Sequence, residues 1–126
     1  MFLYIDPSKH NCIRLIIFRD NTASVYEVSG KNRELLSVID DIFCHHKLSL
    51  QDLRGIILLE GEGSFSSTRI ATVVANSLSF TLHIPVVSTT RVHEPTIETV
   101  TQFFDHTLVG HYVIPLYSGE PNIGYI

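Results

Sequence analysis

The sequence predicts an α/β fold, a single domain over residues 1–126 built on one mixed sheet. Three observations carry that prediction. Three β-branched and aromatic runs follow one another at the start of the chain, separated only by turn-forming residues. Farther on, stretches with a helical apolar period alternate with short, wholly apolar runs. A length of 126 residues is enough to bury a core without metal or disulfide staples, and neither a low-complexity tract nor an internal repeat interrupts it.

The elements follow in order. "FLYID", "CIRLIIFR" and "TASVYEV" read as strands joined at Pro7-Ser8-Lys9 and Asp20-Asn21-Thr22, which makes an antiparallel meander. Asn32 as a cap, with Glu34 in the first turn, starts a helix from Glu34 to Lys47 that places Leu35, Leu36, Ile39, Ile42 and Phe43 at helical spacing. "SLQD", Ser49 to Asp52, fits a capping box for a short turn. "LRGIILLEG" then reads as a buried strand ending at a glycine. A helix from Ser67 to His83, the strand "IPVVSTT" and a Pro95-initiated helix "PTIETVTQFFDH" follow. Tyr112 to Ile114 adds a short edge strand, while Pro115 and Pro121 keep 112–126 an extended segment. The order β-β-β-α-β-α-β-α is that of a ribonuclease-H-like mixed sheet.

A net charge of −4, with nine scattered Lys and Arg, argues against a free-standing nucleic-acid binder, whose footprint is a basic stripe. "MFLYIDPSKH" has no basic leader region and its apolar run stops at Asp6, so it reads as a strand and not a signal peptide. No stretch approaches a membrane span. A cytoplasmic protein is expected, with Cys12 and Cys44 as free, buried thiols.

"LLEGEGSFSSTRIA", Leu58 to Ala71, is the stretch that most invites a chemical reading. A strand, a glycine turn and a helix start together suit a phosphate. Against this, Ser66 stands where a dinucleotide fingerprint needs Gly, no Lys-Ser/Thr pair is present, and Glu62 sets a negative charge where phosphates would sit. A nucleophile elbow needs a glycine on both sides of the serine, which Ser64 lacks. A capped helix start explains more: Ser66 as N-cap, Phe65 stapled onto Ile70, and glycines for a tight strand exit. Arg69 stands apart, a cation in a first turn where the helix dipole disfavours it.

The helix that follows has two apolar directions. Ile70, Val74, Leu78 and Leu82 suit a sheet, whereas Val73, Ser77 and Phe80 point elsewhere, with small Ala71 and Ala75 between. Two such faces predict a second packing partner, first of all the preceding helix, and an outer surface that takes another subunit.

No metal site is expected. Cys44, His45 and His46 are consecutive and fan around a helix, and His10 with Cys12 supplies only two ligands. Asp40 and Asp41 point apart and form no acid/base pair. Asp6 reads as a turn and strand-end hydrogen-bonder.

"LYIDPSKHNCIRLIIF" and "RELLSVIDDIF…LSLQDLRGIILLEGEGSFSSTRIATVVANSLSFTLHIPVVSTT" resemble the TsaB (YeaZ) family of bacterial tRNA threonylcarbamoyladenosine formation. Asp6, Ser8, Gly61, Gly63, Ser64, Phe65, Arg69, Ile70, Ile84, Pro85 and Ser88 stand at matching positions, with Gly61, Gly63, Ser64 and Phe65 as the signature loop. The terminal "IPLYSGEPNIGYI" is also similar. Glu62, Ser67 and Pro7 depart from the family pattern, and the chain looks like a short, single-lobe version.

The resemblance implies an actin-like, ribonuclease-H-type fold and a non-catalytic subunit without cofactor. It implies pairing through two helices with a TsaD-like catalytic subunit, with a TsaE-like ATPase in the complex, tRNA reached only through that complex, and homodimers when alone. It implies an interface drawn from Leu36, Phe43, Arg69, Val73, Asn76, Ser77 and Phe80. Asp6 and Ser8 are then a vestigial nucleotide turn, because actin-like ATPases place an Asp there. The family's peptidase or glycoprotease label carries no implication of proteolysis. The alternatives are a hydrolase, an actin-like nucleotide-binding fragment using Asp6 and Gly61 to Ser64, and a homodimeric module of unrelated use.

Overall fold

The computed structural model describes residues 1–30, 34–62 and 65–114, Phe65 by its backbone alone. Strands β1 (Phe2–Asp6), β2 (Cys12–Arg19), β3 (Thr22–Ser29), β4 (Gly55–Leu59) and β5 (Val86–Thr89) form one five-stranded sheet in the order β3-β2-β1-β4-β5. The first three are the expected antiparallel meander, and β4 and β5 run parallel to β1 on its other side. Asp20 and Asn21 close the β2–β3 hairpin with φ of 49° and 61°. Asp and Asn are among the side chains that tolerate this left-handed backbone.

Helices α1 (Leu35–His45) and α2 (Phe65–Leu82) cover one face of the sheet. Leu3, Ile5, Leu15, Ile17, Ile56 and Leu58 meet Leu35, Ile39, Ile42 and Phe43 of α1 and Ala71, Ala75 and Leu78 of α2. The other face carries Tyr4, Ile16, Phe18, Ile57 and Leu59 under Ile97, Val100, Phe103 and Phe104. Burial on both sides is why β4 is apolar throughout, with no alternation.

The covering segment is not the helix expected from Pro95. A 3₁₀ turn at Arg91–His93 precedes a 3₁₀ helix confined to Val100–Phe104. The Thr96 carbonyl accepts from the Thr99 and Val100 amides in a single turn, and the Thr99 hydroxyl accepts from the Thr96 amide at 2.9 Å. Ile97, Val100 and Phe103 recur every third residue, the period that stacks in a 3₁₀ winding. Phe104 stacks on Phe2 with ring centroids 5.1 Å apart and sits over Gly55, where a Cβ would lie 2.6 Å from its ring. Gly55 is therefore required by close approach.

Other boundaries shift. Glu34 occupies the N-cap position of α1 instead of its first turn, and Asn32 lies outside the described residues. Because α2 begins at Phe65, Ser66 is inside the helix and is not its cap, and Arg69 falls just past the first turn. Ser49 does cap its 3₁₀ turn, Leu50–Asp52, accepting from the Gln51 amide.

On α2 the residues fully buried against the sheet are small: Thr68, Ala71, Thr72, Ala75 and Ser79, with Leu78, while Ile70, Val74 and Leu82 are only half-buried. Small residues let the helix lie close to β4 and β5, displacing the larger ones to its flanks. Tyr112 to Ile114 is not the expected edge strand and pairs with no strand, and Pro115 and Pro121 lie outside the described residues. Both cysteines are free, but neither is buried: Cys44 is exposed on α1 and Cys12 is half-buried.

Candidate functional site

Strand register assembles a charged cluster at the end of the sheet where β1, β4 and β5 all terminate. Arg14 lies opposite Asp6 across the β1–β2 ladder and opposite Glu27 across the β2–β3 ladder. Residues directly opposite share a face, so all three project away from α1 and α2. The chain leaving β5 adds Arg91 and Glu94, and the loop after β4 adds Glu62.

Asp6 is the centre and is only 1% exposed. Its Oδ1 accepts from the Ser8 amide at 2.9 Å and the Ser8 hydroxyl at 2.5 Å. Its Oδ2 accepts from Arg14 at 3.0 Å and Arg91 at 3.1 Å. The turn role expected of Asp6 is therefore present, but half of its bonding goes to two guanidinium groups that sequence spacing did not point to.

Each guanidinium is held again from outside. Arg14 donates to Glu94 at 2.6 Å and lies 3.7 Å from Glu27. Arg91 donates to Glu62 at 3.3 Å and to the Ser8 hydroxyl at 2.5 Å. Lys9 closes the rim on Glu27 at 2.9 Å. Glu62, the negative charge of the loop after β4, pairs with Arg91 at the β5 exit.

Burial alone raises the Asp6 pKa, but the Ser8 hydroxyl and amide, Arg91 and Arg14 together outweigh it, and the carboxyl titrates below its usual value of 3.8. Tyr4, two residues earlier on the same face, is pushed the other way. Burial and the negative charges of Glu94 and Asp6 hold its phenol protonated well above the ordinary range. Both oxygens of Asp6 have two donors each, so the cluster is a clamp joining the β1 turn, β2, the β4–α2 loop and the β5 exit.

Arg14, Glu27, Arg91 and Glu94 are the members that sequence reasoning missed. A signal existed for one of them: Arg14 is a charge in the middle of the apolar run "CIRLIIFR".

The signature loop is only partly described. Gly61 has φ of +80°, a left-handed turn that glycine adopts without strain. Gly63 and Ser64 lie outside the described residues, as does the Phe65 side chain with its expected staple to Ile70. Among the described residues no group of three or more His, Cys, Asp or Glu is arranged around a metal position.

The expected interface residues divide. Leu36 (53%), Val73 (57%) and Phe80 (68%) are large apolar side chains left in water, and Arg69 and Ser77 are exposed beside them. α1 does touch α2, yet it leaves Val73 and Phe80 uncovered and is not the neighbour of that face. Phe43 is corrected outright: at 2% exposure it belongs to the core between α1 and the sheet, because its position on α1 faces inward. Asn76 is half-buried and bonded to the backbone of Val113 in both directions.

No protein-family model matches the chain. A tRNA threonylcarbamoyladenosine biosynthesis protein TsaB from Buchnera aphidicola of Acyrthosiphon pisum is 31% identical over 90 residues, 70% of this chain and 41% of that protein. The protein of the same name from Haemophilus influenzae is 25% identical over 87 residues, 68% of this chain and 37% of that protein. Over about 70% of its length the chain is therefore similar to the TsaB (YeaZ) proteins. It spans well under half the length of the TsaB proteins it matches.

Solved YeaZ structures agree on the fold. YeaZ from Pseudomonas aeruginosa superposes with a TM-score of 0.63 at 23% identity, covering 71% of this chain and 44% of that one. A crystal structure described as an uncharacterized protein with similarity to peptidase YeaZ, also from Pseudomonas aeruginosa, gives 0.62. The TsaB-like region therefore carries the mixed sheet and both helices. Among the described residues no helix is long and apolar enough to cross a membrane.

Proposed function

We propose that this chain is a non-catalytic, TsaB-type partner in forming threonylcarbamoyladenosine on tRNA. In this reading its sheet is of the ribonuclease-H-like, actin-like class, and it works in the cytoplasm. It docks a TsaD-like catalytic subunit, in a complex with a TsaE-like ATPase, through the outer faces of α1 and α2. The same surface pairs two copies when the partner is missing, and tRNA is met only within the complex.

One observation carries the reading: the outer row of α2 leaves Val73 and Phe80 57% and 68% exposed in the region that matches TsaB. Large apolar side chains at i and i+7 on one helix face form a stripe suited to a second helix. The non-catalytic part draws support from Asp6, the carboxylate best placed for nucleotide chemistry. Its oxygens are saturated by Ser8, Arg14 and Arg91.

Co-purification with the catalytic subunit of the same organism tests the proposal. Phe80→Asp and Val73→Asp are each expected to abolish the complex and self-association while leaving the circular dichroism spectrum unchanged. Retention of both assemblies by both variants refutes the docking surface.

A further inference from the structure

Asn76 stands on α2 beside the exposed row, and its side chain reads a backbone. The Nδ2 group donates to the Val113 carbonyl at 2.9 Å, and the Val113 amide donates to Oδ1 at 2.9 Å. A primary amide offers the same donor and acceptor pair as a peptide unit, so Asn76 treats residue 113 as a neighbouring strand would. Neither Asp nor Ala can do both.

The segment this holds alternates in exposure from Tyr112 to Ile114. Val113 turns inward and packs against the core under the helices, while Tyr112 and Ile114 turn outward, 46% and 83% exposed. Tyr112 forms one wall of a concavity of about 480 Å³ whose other walls are Asn76, Ser77, Phe80 and Thr81 of α2. The segment therefore borders the stretch of α2 that the proposed partner needs. Packed helices approach to about 8–10 Å between axes, and a helix seated on Ser77 and Phe80 at that distance fills the concavity and meets Tyr112.

We propose that residues 111–114 are an intramolecular strap, latched by Asn76, that competes with the partner for the outer face of α2. This rests on the docking reading above. Tyr112 faces Ser77 and Phe80 across the concavity that the partner's helix would fill, so a population with the strap seated binds more weakly by the fraction that is not competent. Among the described residues the strap's hydrogen bonds to α2 are the two at Asn76, which makes it a local unit that opens without unfolding the sheet.

Two variants of the full chain test this, each read by hydrogen exchange over residues 108–114 and by affinity for the catalytic subunit. Asn76→Asp keeps the side-chain shape but sets a carboxylate against the Val113 carbonyl. Val113→Pro removes the strap's donor and leaves α2 untouched, so a change in affinity there does not come from an altered interface. The expected result for both is exchange accelerated about tenfold or more and affinity raised about threefold or more.

Unchanged exchange in both variants overturns the latch. Faster exchange with unchanged or weaker affinity overturns the competition, and makes the strap either irrelevant to docking or part of the surface. Faster exchange with no association by the wild type or either variant overturns the docking reading itself, and the competition with it.

Discussion

The carboxyl edge of the sheet and the outer face of α2 are opposites in how their side chains are satisfied. At the edge, the Asp6 carboxylate and most of the Arg14 guanidinium are drawn out of water while Arg91 stays partly wet, and each finds partners inside the chain: Asp6 is 1% exposed and has four donors. On α2, Val73 and Phe80 are apolar, more than half exposed, and left without cover. The edge holds the residue types of chemistry, yet its charges are spent on one another. The helix face holds no reactive group, yet it carries the unsettled free energy, since uncovered apolar area is what association removes from water. Density of titratable groups marks where a chain is tied together. An unpaired surface marks where it meets something else.

If that contrast is right, the edge is costly to break. Asp6→Ala removes the buried anion that Arg14 and Arg91 share, leaving them Glu94 at 2.6 and 3.7 Å, and removes both Ser8 bonds. Breaking a buried pair by removing one partner costs about 3–5 kcal/mol. Arg91 is 41% exposed, so water screens part of the loss and the expected cost is about 2–3 kcal/mol, read from urea unfolding. The same chain is expected to keep whatever self-association the wild type shows, because α2 is untouched. A stable Asp6→Ala variant that no longer associates reverses the assignment of the two regions.

Acid titration probes the same clamp more gently. The Asp6 pKa in the folded chain lies below its usual 3.8, so the folded state favours the ionised form. The corresponding stability is fully present above about 3.8 and is lost as pH falls through the lower folded value. The urea midpoint is expected to fall over that acid interval by more in the wild type than in Asp6→Asn, which has no carboxyl to titrate there. Phe80→Asp belongs lower on this scale, with stability changed by no more than about 0.5 kcal/mol because the side chain is largely solvated already.

What sequence reveals follows the distance over which each feature is set. The succession of strands along the chain is legible because short β-rich runs and helical periods are local signals, and so is the turn at Asp6, whose Ser8 bonds span two residues. The helix expected from Pro95 gives way to 3₁₀ winding because Ile97, Val100 and Phe103, three apart, suit either period. The clamp was not legible. Arg14 is eight residues from Asp6 and Arg91 is 85, and only the ladder register and the path after β5 bring them together. Val73 and Phe80 were placed on an outward row by periodicity alone. Phe43 was not, since its side of α1 depends on how the helix sits on the sheet.

The smallest expected effect tests whether the clamp has an inside and an outside. Lys9 and Glu27 form the rim, 2.9 Å apart with side chains 52% and 46% exposed. Exposed ion pairs give up hydration and side-chain freedom for an attraction that water and salt screen. Glu27 also sits only 3.7 Å from Arg14, so it keeps a cationic neighbour when Lys9 is gone. Lys9→Ala is therefore expected to leave the urea midpoint unmoved at low and at high salt. A salt-sensitive drop in this variant alone means that the rim feeds the buried pairs, and that the clamp's strength is shared outward from Asp6, Arg14 and Arg91.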